Sequence, residues 1–211
     1  MELLARVRNS FSPSAIRRTA SFLGEEEAKI RRGLQESIPA VLAALINRTT
    51  EPTESGMPPA IWLTRLLTRG SHDGNLLGEI ANILSNSRSA QAIVSLGERA
   101  AEGILGSLSE PVRKAIAEDC GMPVDATSHL LSLTALVTLE VLAHEASVRQ
   151  QTPEQILSQL HEQRRTIARA LPAEVARFIE FYEKPSVAGE AEAADETPVQ
   201  RLKLKVMRLL A

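Results

Sequence analysis

The chain has 211 residues, of which 44% are hydrophobic and 24% charged, a balance that is ordinary for a globular protein. Its formal net charge of −2 argues against a nucleic-acid partner, because a nucleic-acid surface needs a basic excess to displace counterions from phosphates. The single cysteine cannot form an internal disulfide, and the N-terminal residues lack a signal-type apolar core. These two features predict a cytoplasmic location.

Apolar residues recur with helical spacing almost throughout the chain, and the alternation typical of strands is missing. The sequence therefore predicts an all-α fold, a compact multihelical bundle. The first helix is predicted to begin after Ser12, and the second after Gly24 with a kink or restart at Pro39. Residues 49–59 are rich in Pro, Gly, Ser and Thr, which predicts a loop.

The rest of the chain is also predicted to be helical. The predicted helices cover 59–69, 75–84, 87–105, a segment after Pro111, 126–146, 153–170 and 172–184. Thr152 and Gln155 have the spacing of a capping box at the start of one of them. The longest uncharged apolar stretch, 126–139, has 14 residues (139 − 126 + 1), fewer than the ~20 that a bilayer requires. We therefore predict a buried helix there.

Two stretches, 12–46 and 109–143, align at an offset of 97 residues (121 − 24), with Gly24 over Gly121. In both, a short helix ending at Gly precedes a long apolar helix. An internal duplication would pack two helical hairpins about a pseudo-two-fold axis, but chance matching among Leu-rich helices would give the same alignment. The aligned leucines are predicted core residues: Leu34, Leu42, Leu45, Leu131, Leu139 and Leu142.

Four segments carry a resemblance to a known family. They are "LGEEEAKIRRGLQESIPAVLAALINR", "LLTRGSHDGNLLGEIANIL", "GMPVDATSHLLSLTALVTLEVLAHE" and "RRTIARALPAEV". The order and spacing of their Gly, Pro and Leu residues, over about residues 3–180, resembles the YidB-like family of bacterial proteins, a domain of unknown function. The resemblance implies a compact multihelical bundle with no established activity.

A polar turn with the sequence "RGSHDGNLLGEIANILSN" (69–86) contains the first candidate site. His72 and Asp73 could form an acid–base pair, although adjacent residues on a turn usually point apart and no nucleophile is near in sequence. Helix capping by Asp73 or Asn75 is the interpretation that we favour, with His72 exposed at a corner between two helices.

The other histidines and the cysteine do not predict a catalytic or metal site. The pairs His144-Glu145 and His161-Glu162 lack the HExxH spacing of a zinc site. His129 lies in an apolar run, which favours a buried, hydrogen-bonded core histidine. Cys120 follows two acids that would raise its pKa, so we interpret it as a packing residue.

The C-terminal tail consists of two segments that differ in composition and charge. Residues 184–199, rich in Ala, Glu, Pro, Ser and Gly, are predicted to be a flexible acidic linker. Residues 200–211 form a basic amphipathic segment. Its bases are Arg201, Lys203, Lys205 and Arg208, and its apolar helical face would carry Leu202, Val206, Leu209 and Leu210. Such a segment can dock on its own bundle, fill a partner's groove or lie on an anionic membrane.

Together these observations predict an all-α domain over residues 1–183 followed by the linker and the basic segment. The predicted function is a non-enzymatic protein-interaction or scaffold module with an unknown protein partner, no cofactor and no metal. One alternative is a small-molecule-binding protein or enzyme with a pocket between helical hairpins, using His72, Asp73 or His129. The other is a peripheral membrane protein anchored by residues 200–211.

Overall fold

The computed structural model describes residues 3–50, 56–68 and 75–181, except the side chains at 75 and 76. Within these ranges the chain is helical and has no strand, so the predicted all-α bundle is confirmed there. The helices are α1 (Leu3–Ser10), α2 (Pro13–Leu23), α3 (Glu27–Arg48), α4 (Pro59–Thr68), α5 (Asn75–Ile83), α6 (Ser87–Leu105), α7 (Ser109–Cys120), α8 (Val124–Arg149), α9 (Pro153–Glu162), α10 (Arg164–Ala170) and α11 (Ala173–Ile179).

The N-terminal helix α1 was not predicted, and the prediction that helices begin only after Ser12 was wrong. Leu3, Leu4 and Val7 are buried, whereas Arg8 is exposed. An eight-residue helix is too short to be stable alone, so its packing on α3 and α8 accounts for it. The predicted start of α2 is confirmed, since the Ser12 hydroxyl accepts a hydrogen bond from the Ala15 amide at 3.2 Å.

Helix α3 runs without interruption through Pro39, so the predicted restart there was wrong. An interior proline removes a backbone hydrogen bond and costs ~3 kcal/mol. All residues from 36 to 46 are buried, and this burial offsets the cost of the proline. Pro39 is therefore part of the core rather than a boundary.

Helix boundaries in the C-terminal half depend on local caps. The predicted capping box is present, with the Thr152 amide donating to Gln155 Oε1 at 2.9 Å. The segment predicted as one helix over 153–170 is divided at Gln163 into α9 and α10. The last helix ends at Ile179, earlier than predicted, because Glu180 adopts a left-handed conformation with φ of 53°.

The centre of the bundle is formed by α3 and α8, which pack against each other and are surrounded by the other helices. The six predicted core leucines are all buried, at 5% exposure or less. Helix α8 is long and apolar enough to cross a membrane, but 83% of its most apolar window is buried inside the protein. It is the core helix that the sequence predicted.

Helix α6 approaches the backbone of α8 closely at Gly97. A Cβ atom built on this glycine would lie 2.4 Å from the backbone oxygen of Ser132. No larger residue fits there unless the two helices separate. The absence of a side chain at Gly97 therefore sets the distance between α6 and α8.

Helix boundaries recur at the offset found in the sequence. Helix α2 ends before Gly24 and α7 before Gly121, both of which are left-handed, and α3 and α8 begin 97 residues apart. Helix α2 packs on α3 and α5 much as α7 packs on α8 and α11. These correspondences are compatible with two related hairpins, and the duplication itself stays a prediction.

Candidate functional site

Two of the sequence-predicted sites lie outside the described residues. His72 and Asp73 belong to the turn 69–74, and the basic segment 200–211 follows the last described residue, Phe181. The interpretation of the turn as a helix corner and the role of the segment therefore stay predictions.

The described histidines are His129 and His144 on α8 and His161 on α9. His129 is only half-buried, and its ring centroid is 6.4 Å from that of Phe22, so the prediction of a fully buried histidine was wrong. Its position near the N-terminal end of α8 leaves the ring at the edge of the bundle, where Phe22 covers one side. His161 lies near the Thr49 hydroxyl, at 3.5 Å. Glu145, the residue after His144, forms salt bridges with Arg6 and with Arg149.

The strongest candidate site is a cleft of about 840 Å³ between α7 and α11, which we call the α7–α11 cleft. Its apolar lining residues are Pro111, Ala115, Pro172, Ala173, Val175 and Phe178. Its charged lining residues are Glu36, Glu110, Lys114, Glu118, Asp119 and Glu174. The cleft thus combines an apolar floor with five carboxyl groups and one ammonium group.

The α11 side of the cleft is held by contacts at the C-terminal end of that helix. The Asn47 side-chain amide donates to the backbone oxygen of Ile179 at 2.7 Å, and Arg164 donates to the Asn47 oxygen at 3.3 Å. The guanidinium carbon of Arg164 lies 4.2 Å from the centroid of the buried Phe181 ring. This cation–π contact and the two hydrogen bonds join α3, α10 and the end of α11.

Phe178 is the most conspicuous apolar residue of the cleft because 43% of its surface is exposed. Val175, one turn earlier on α11, is buried and fixes that face of the helix against the bundle. Exposed aromatic rings beside partly buried apolar residues are typical of surfaces that bind another molecule. Phe178 is therefore the candidate anchor of the cleft.

The inner end of the cleft contains a polar cluster formed by α3 and the last turn of α7. Arg32 donates to Asp119 Oδ2 from Nε at 3.1 Å and from Nη2 at 2.9 Å. Its Nε atom also lies 3.7 Å from Glu36 Oε1, which accepts a hydrogen bond from the Cys120 thiol at 3.5 Å. The other carboxyl oxygen of Glu36 is buried and has no hydrogen-bond partner in the part of the chain that the structure describes.

Burial controls the protonation of this cluster. It raises the pKa of Glu36 from 4.5 to about 8, and the neighbouring Asp119 carboxylate raises it in the same direction. The interaction with Glu36, together with Arg32, lowers the pKa of Asp119. At neutral pH the two carboxyl groups therefore hold one proton, which resides on Glu36.

The cysteine of the cluster is a poor nucleophile. Burial, followed by the nearby Glu36, raises the pKa of the Cys120 thiol to about 12. The predicted direction of this shift is confirmed, although its main causes are burial and Glu36 rather than the acids next to Cys120 in sequence. Packing remains the better interpretation of Cys120.

The cluster has donor atoms of the types that bind a metal ion. One oxygen each from Glu36 and Asp119 and the sulfur of Cys120 all lie within 4.8 Å of one another. The Arg32 guanidinium, however, already supplies positive charge between the two carboxyl groups, and a metal ion would have to displace it. Metal binding at this cluster would therefore require Arg32 to move away from Asp119.

The contact between Arg32 and Asp119 has a counterpart at the 97-residue offset. Residues 97 positions from Arg32 and Asp119 are His129 and Phe22, whose ring centroids lie 6.4 Å apart. One pair is charged and the other is aromatic. The duplication, which stays a prediction, would make the two pairs equivalent positions.

Sequence reasoning missed Glu36 and Phe178. Glu36 interrupts the apolar stripe of α3, between Leu34 and Ile38, and an acid in such a stripe was the available signal. Arg32 connects α3 to α7 through Asp119, a residue 87 positions away that no local pattern could identify as its partner. No local pattern marked Phe178, because its exposure depends on how α11 packs.

Comparison with known proteins identifies a family. The model of a family described as "Bacterial protein of unknown function (DUF937)" matches residues 6–145, which are 140 (145 − 6 + 1) of the 211 residues. The match includes α7 and the polar cluster and ends before α11. No curated protein and no solved structure matches the chain.

Proposed function

Because the chain belongs to the DUF937 family of bacterial proteins of unknown function, we propose its function from the α7–α11 cleft. The protein is a non-enzymatic protein-interaction module that binds a basic amphipathic helix in this cleft. We also propose that it belongs to the YidB-like group, on the residue pattern of its Gly, Pro and Leu positions.

The exposed ring of Phe178 carries this proposal. Binding sites for amphipathic helices place aromatic and aliphatic anchors in a groove and surround them with polar residues. The lining of the cleft follows this pattern, with apolar residues of α7 and α11 between carboxylates. Helix α7 lines it from Glu110 to Asp119, over roughly 14 Å at 1.5 Å per residue, or about two and a half helical turns.

The charges of the cleft select the kind of partner. Three exposed acids line the cleft, Glu118 and Asp119 on α7 and Glu174 on α11, and Asp119 and Glu174 pair with Arg32 and Arg177. Lys114, the single lining base, pairs with Glu110 at 2.7 Å. A partner with lysine or arginine residues beside its apolar face complements these acids and would be steered toward them.

A synthetic peptide tests the proposal. The probe is a helical peptide of leucine and lysine with all leucines on one face, titrated into the full chain by calorimetry at low and physiological salt. We expect binding that weakens with salt, and at least tenfold weaker binding when lysine is replaced by glutamate.

Two variants show where the peptide binds. The substitution Phe178→Ala should weaken binding at least tenfold, because it removes the aromatic anchor. The control Val148→Ala removes an apolar side chain that is 67% exposed on α8 and should leave affinity unchanged. Equal affinity of the two variants would contradict the proposal. Binding to anionic vesicles that survives Phe178→Ala would favour the membrane alternative for residues 200–211.

A second candidate function is cation binding by the polar cluster, and the convergence of Glu36, Asp119 and Cys120 favours it. Zn²⁺ is a suitable probe because the cluster offers two oxygens and a sulfur. Stoichiometric Zn²⁺ binding that Cys120→Ser abolishes would support this candidate. Failure to bind Zn²⁺ would contradict this second candidate.

A further inference from the structure

We propose that the α7–α11 cleft is occupied, in the resting protein, by residues 200–211 of the same chain. This inference rests on the proposed function, since it treats the cleft as a site for basic amphipathic helices. It adds the identity of one occupant, and it makes that occupant an internal competitor of any external partner.

The composition of the segment matches the lining of the cleft. Its sequence "RLKLKVMRLL" (201–210) contains four bases. On a helix, Leu202, Val206, Leu209 and Leu210 would lie on one face. Phe178 and the apolar residues of α7 would receive that face, while Glu118 would face the bases and Glu174 would exchange its pairing with Arg177 for one of them. The two surfaces are therefore complementary in both apolar pattern and charge.

The dimensions also agree. A helix of 12 residues (211 − 200 + 1) is roughly 18 Å long, and α7 is a helix of 12 residues with the same length. Most of the segment can therefore lie along α7. Its bases would then be distributed over the rim of the cleft rather than concentrated at one end.

The connection between the bundle and the segment is short enough to keep the two together. The described chain ends at Phe181, two residues after α11, and α11 is itself a wall of the cleft. A linker of 16 residues (184–199) spans roughly 20–24 Å when flexible, whereas α11 is only about 10 Å long. The segment can therefore reach every part of the cleft without strain.

Because the segment is tethered to the bundle, even a low affinity for the cleft would keep it docked most of the time. A short flexible linker gives an effective concentration on the order of 1 mM. At that concentration a segment that binds with a Kd of about 100 μM in trans would be docked roughly nine-tenths of the time. An external partner would have to displace it, so the observed affinity of the intact chain would be about tenfold lower than that of the open cleft.

The experiment compares backbone amide NMR spectra of full-length chains. The variant Lys203→Glu/Lys205→Glu reverses two bases of the segment and should release it from the cleft. We expect chemical-shift changes in α7 and α11, centred on Lys114, Ala115 and Phe178. The control Arg88→Glu/Arg99→Glu makes the same change in net charge on the exposed face of α6 and should leave those resonances unchanged.

A second variant tests the same contact from the side of the cleft. Phe178→Ala should release the segment without altering it, so the amide resonances of residues 200–211 should move to the positions that they have in Lys203→Glu/Lys205→Glu. The spectra should be identical at 20 and 400 μM, which distinguishes docking within one chain from docking between two copies. Concentration-dependent shifts, or no shifts in α7 and α11, would overturn the proposal.

Peptide titration separates this inference from the proposed function. The variant Lys203→Glu/Lys205→Glu should bind the leucine–lysine peptide about tenfold more tightly than the natural chain. If the natural chain and Lys203→Glu/Lys205→Glu bind the peptide equally well, and Phe178→Ala still weakens binding, residues 200–211 do not occupy the cleft. The proposed function would then stand. No peptide binding by either chain would overturn the function, whereas the NMR comparison would still decide whether the segment docks.

Discussion

The hydroxyl oxygens of Ser37 and Thr134 lie 3.0 Å apart in the core, at positions separated by the 97-residue offset. The Thr134 hydroxyl donates its proton to the backbone oxygen of Leu130, at 2.8 Å, so Ser37 must be the donor between them. Gly33 and Leu130 have the same separation in sequence, and a Cβ on Gly33 would lie 2.5 Å from Leu130 Cδ2. An internal duplication, which stays a prediction, would place such pairs of equal offset near a two-fold axis between α3 and α8.

The Ser37–Thr134 hydrogen bond should contribute measurably to stability. We expect the double-mutant cycle of Ser37→Ala and Thr134→Val to give a coupling free energy of about 1 kcal/mol, because both groups are buried and hydrogen-bonded. Urea unfolding of the natural chain, both single variants and the double variant measures it. Fully additive effects would mean that the two helices do not depend on this contact.

Substitution at Gly97 should be the most costly change among the glycines of α5 and α6. Gly97→Ala places a Cβ against the backbone of Ser132, so α6 and α8 must separate, at a cost of 1–3 kcal/mol or more. Gly78→Ala is the matched control, since nothing lies within 4 Å of a Cβ there. It should stabilise α5 by up to about 1 kcal/mol, as alanine replaces glycine in a helix. Thermal unfolding that ranks the two variants in the opposite order would contradict the helix contact.

Two aligned core leucines should be equally sensitive to truncation. Leu42→Ala and Leu139→Ala should each cost ~2–5 kcal/mol, because both side chains are buried and their loss leaves cavities in the centre of the bundle. Val148→Ala removes an exposed side chain and should change the free energy of unfolding by less than about 0.5 kcal/mol. Chemical denaturation of the three variants measures these differences. A small cost at either leucine would show that α3 and α8 do not form the core together.

Stability should fall as the pH rises from 5 to 8 because of Glu36. The folded chain has a Glu36 pKa of about 8 against 4.5 as its ordinary value, so between these values the folded state binds more protons than the unfolded state. The free energy of unfolding should decrease by at most about 1.4 kcal/mol per pH unit. Asp119, whose pKa is lowered from 3.8, and Cys120, whose pKa is raised to about 12, titrate outside this window.

The variant Glu36→Gln removes the contribution of Glu36 ionisation to the pH dependence of stability. It should match the natural chain in melting temperature at pH 5 and exceed it at pH 8, since a neutral amide has no charged form to bury. Glu118→Gln, on the exposed surface of α7, serves as the control and should follow the natural chain at both pH values. If the melting temperatures of the natural chain and Glu36→Gln change with pH in parallel, Glu36 is ionised over the whole range from pH 5 to 8.

The polar cluster could not be derived from the sequence because its members are distant in the chain. Glu36 and Cys120 are 84 residues apart, and they meet only because α3 packs on α7. The odd position of Glu36 in an apolar stripe indicated a buried acid, but its neighbours depend on the angle at which the helices cross. Phe178 likewise is exposed only because Val175 and Ile179 are the α11 residues that face inward.

The sequence by itself determined the features of this protein that depend on neighbouring residues. The helical periodicity, the Ser12 cap, the Gly24 and Gly121 helix ends and the Thr152 capping box all act within a few residues, and the buried face of each long helix follows from its own apolar stripe. Only the tertiary structure decided whether α1 forms, whether Pro39 interrupts α3, and what surrounds Glu36. Each of these depends on free energy gained when one helix is buried against another, and that gain does not exist until the distant segments have packed together.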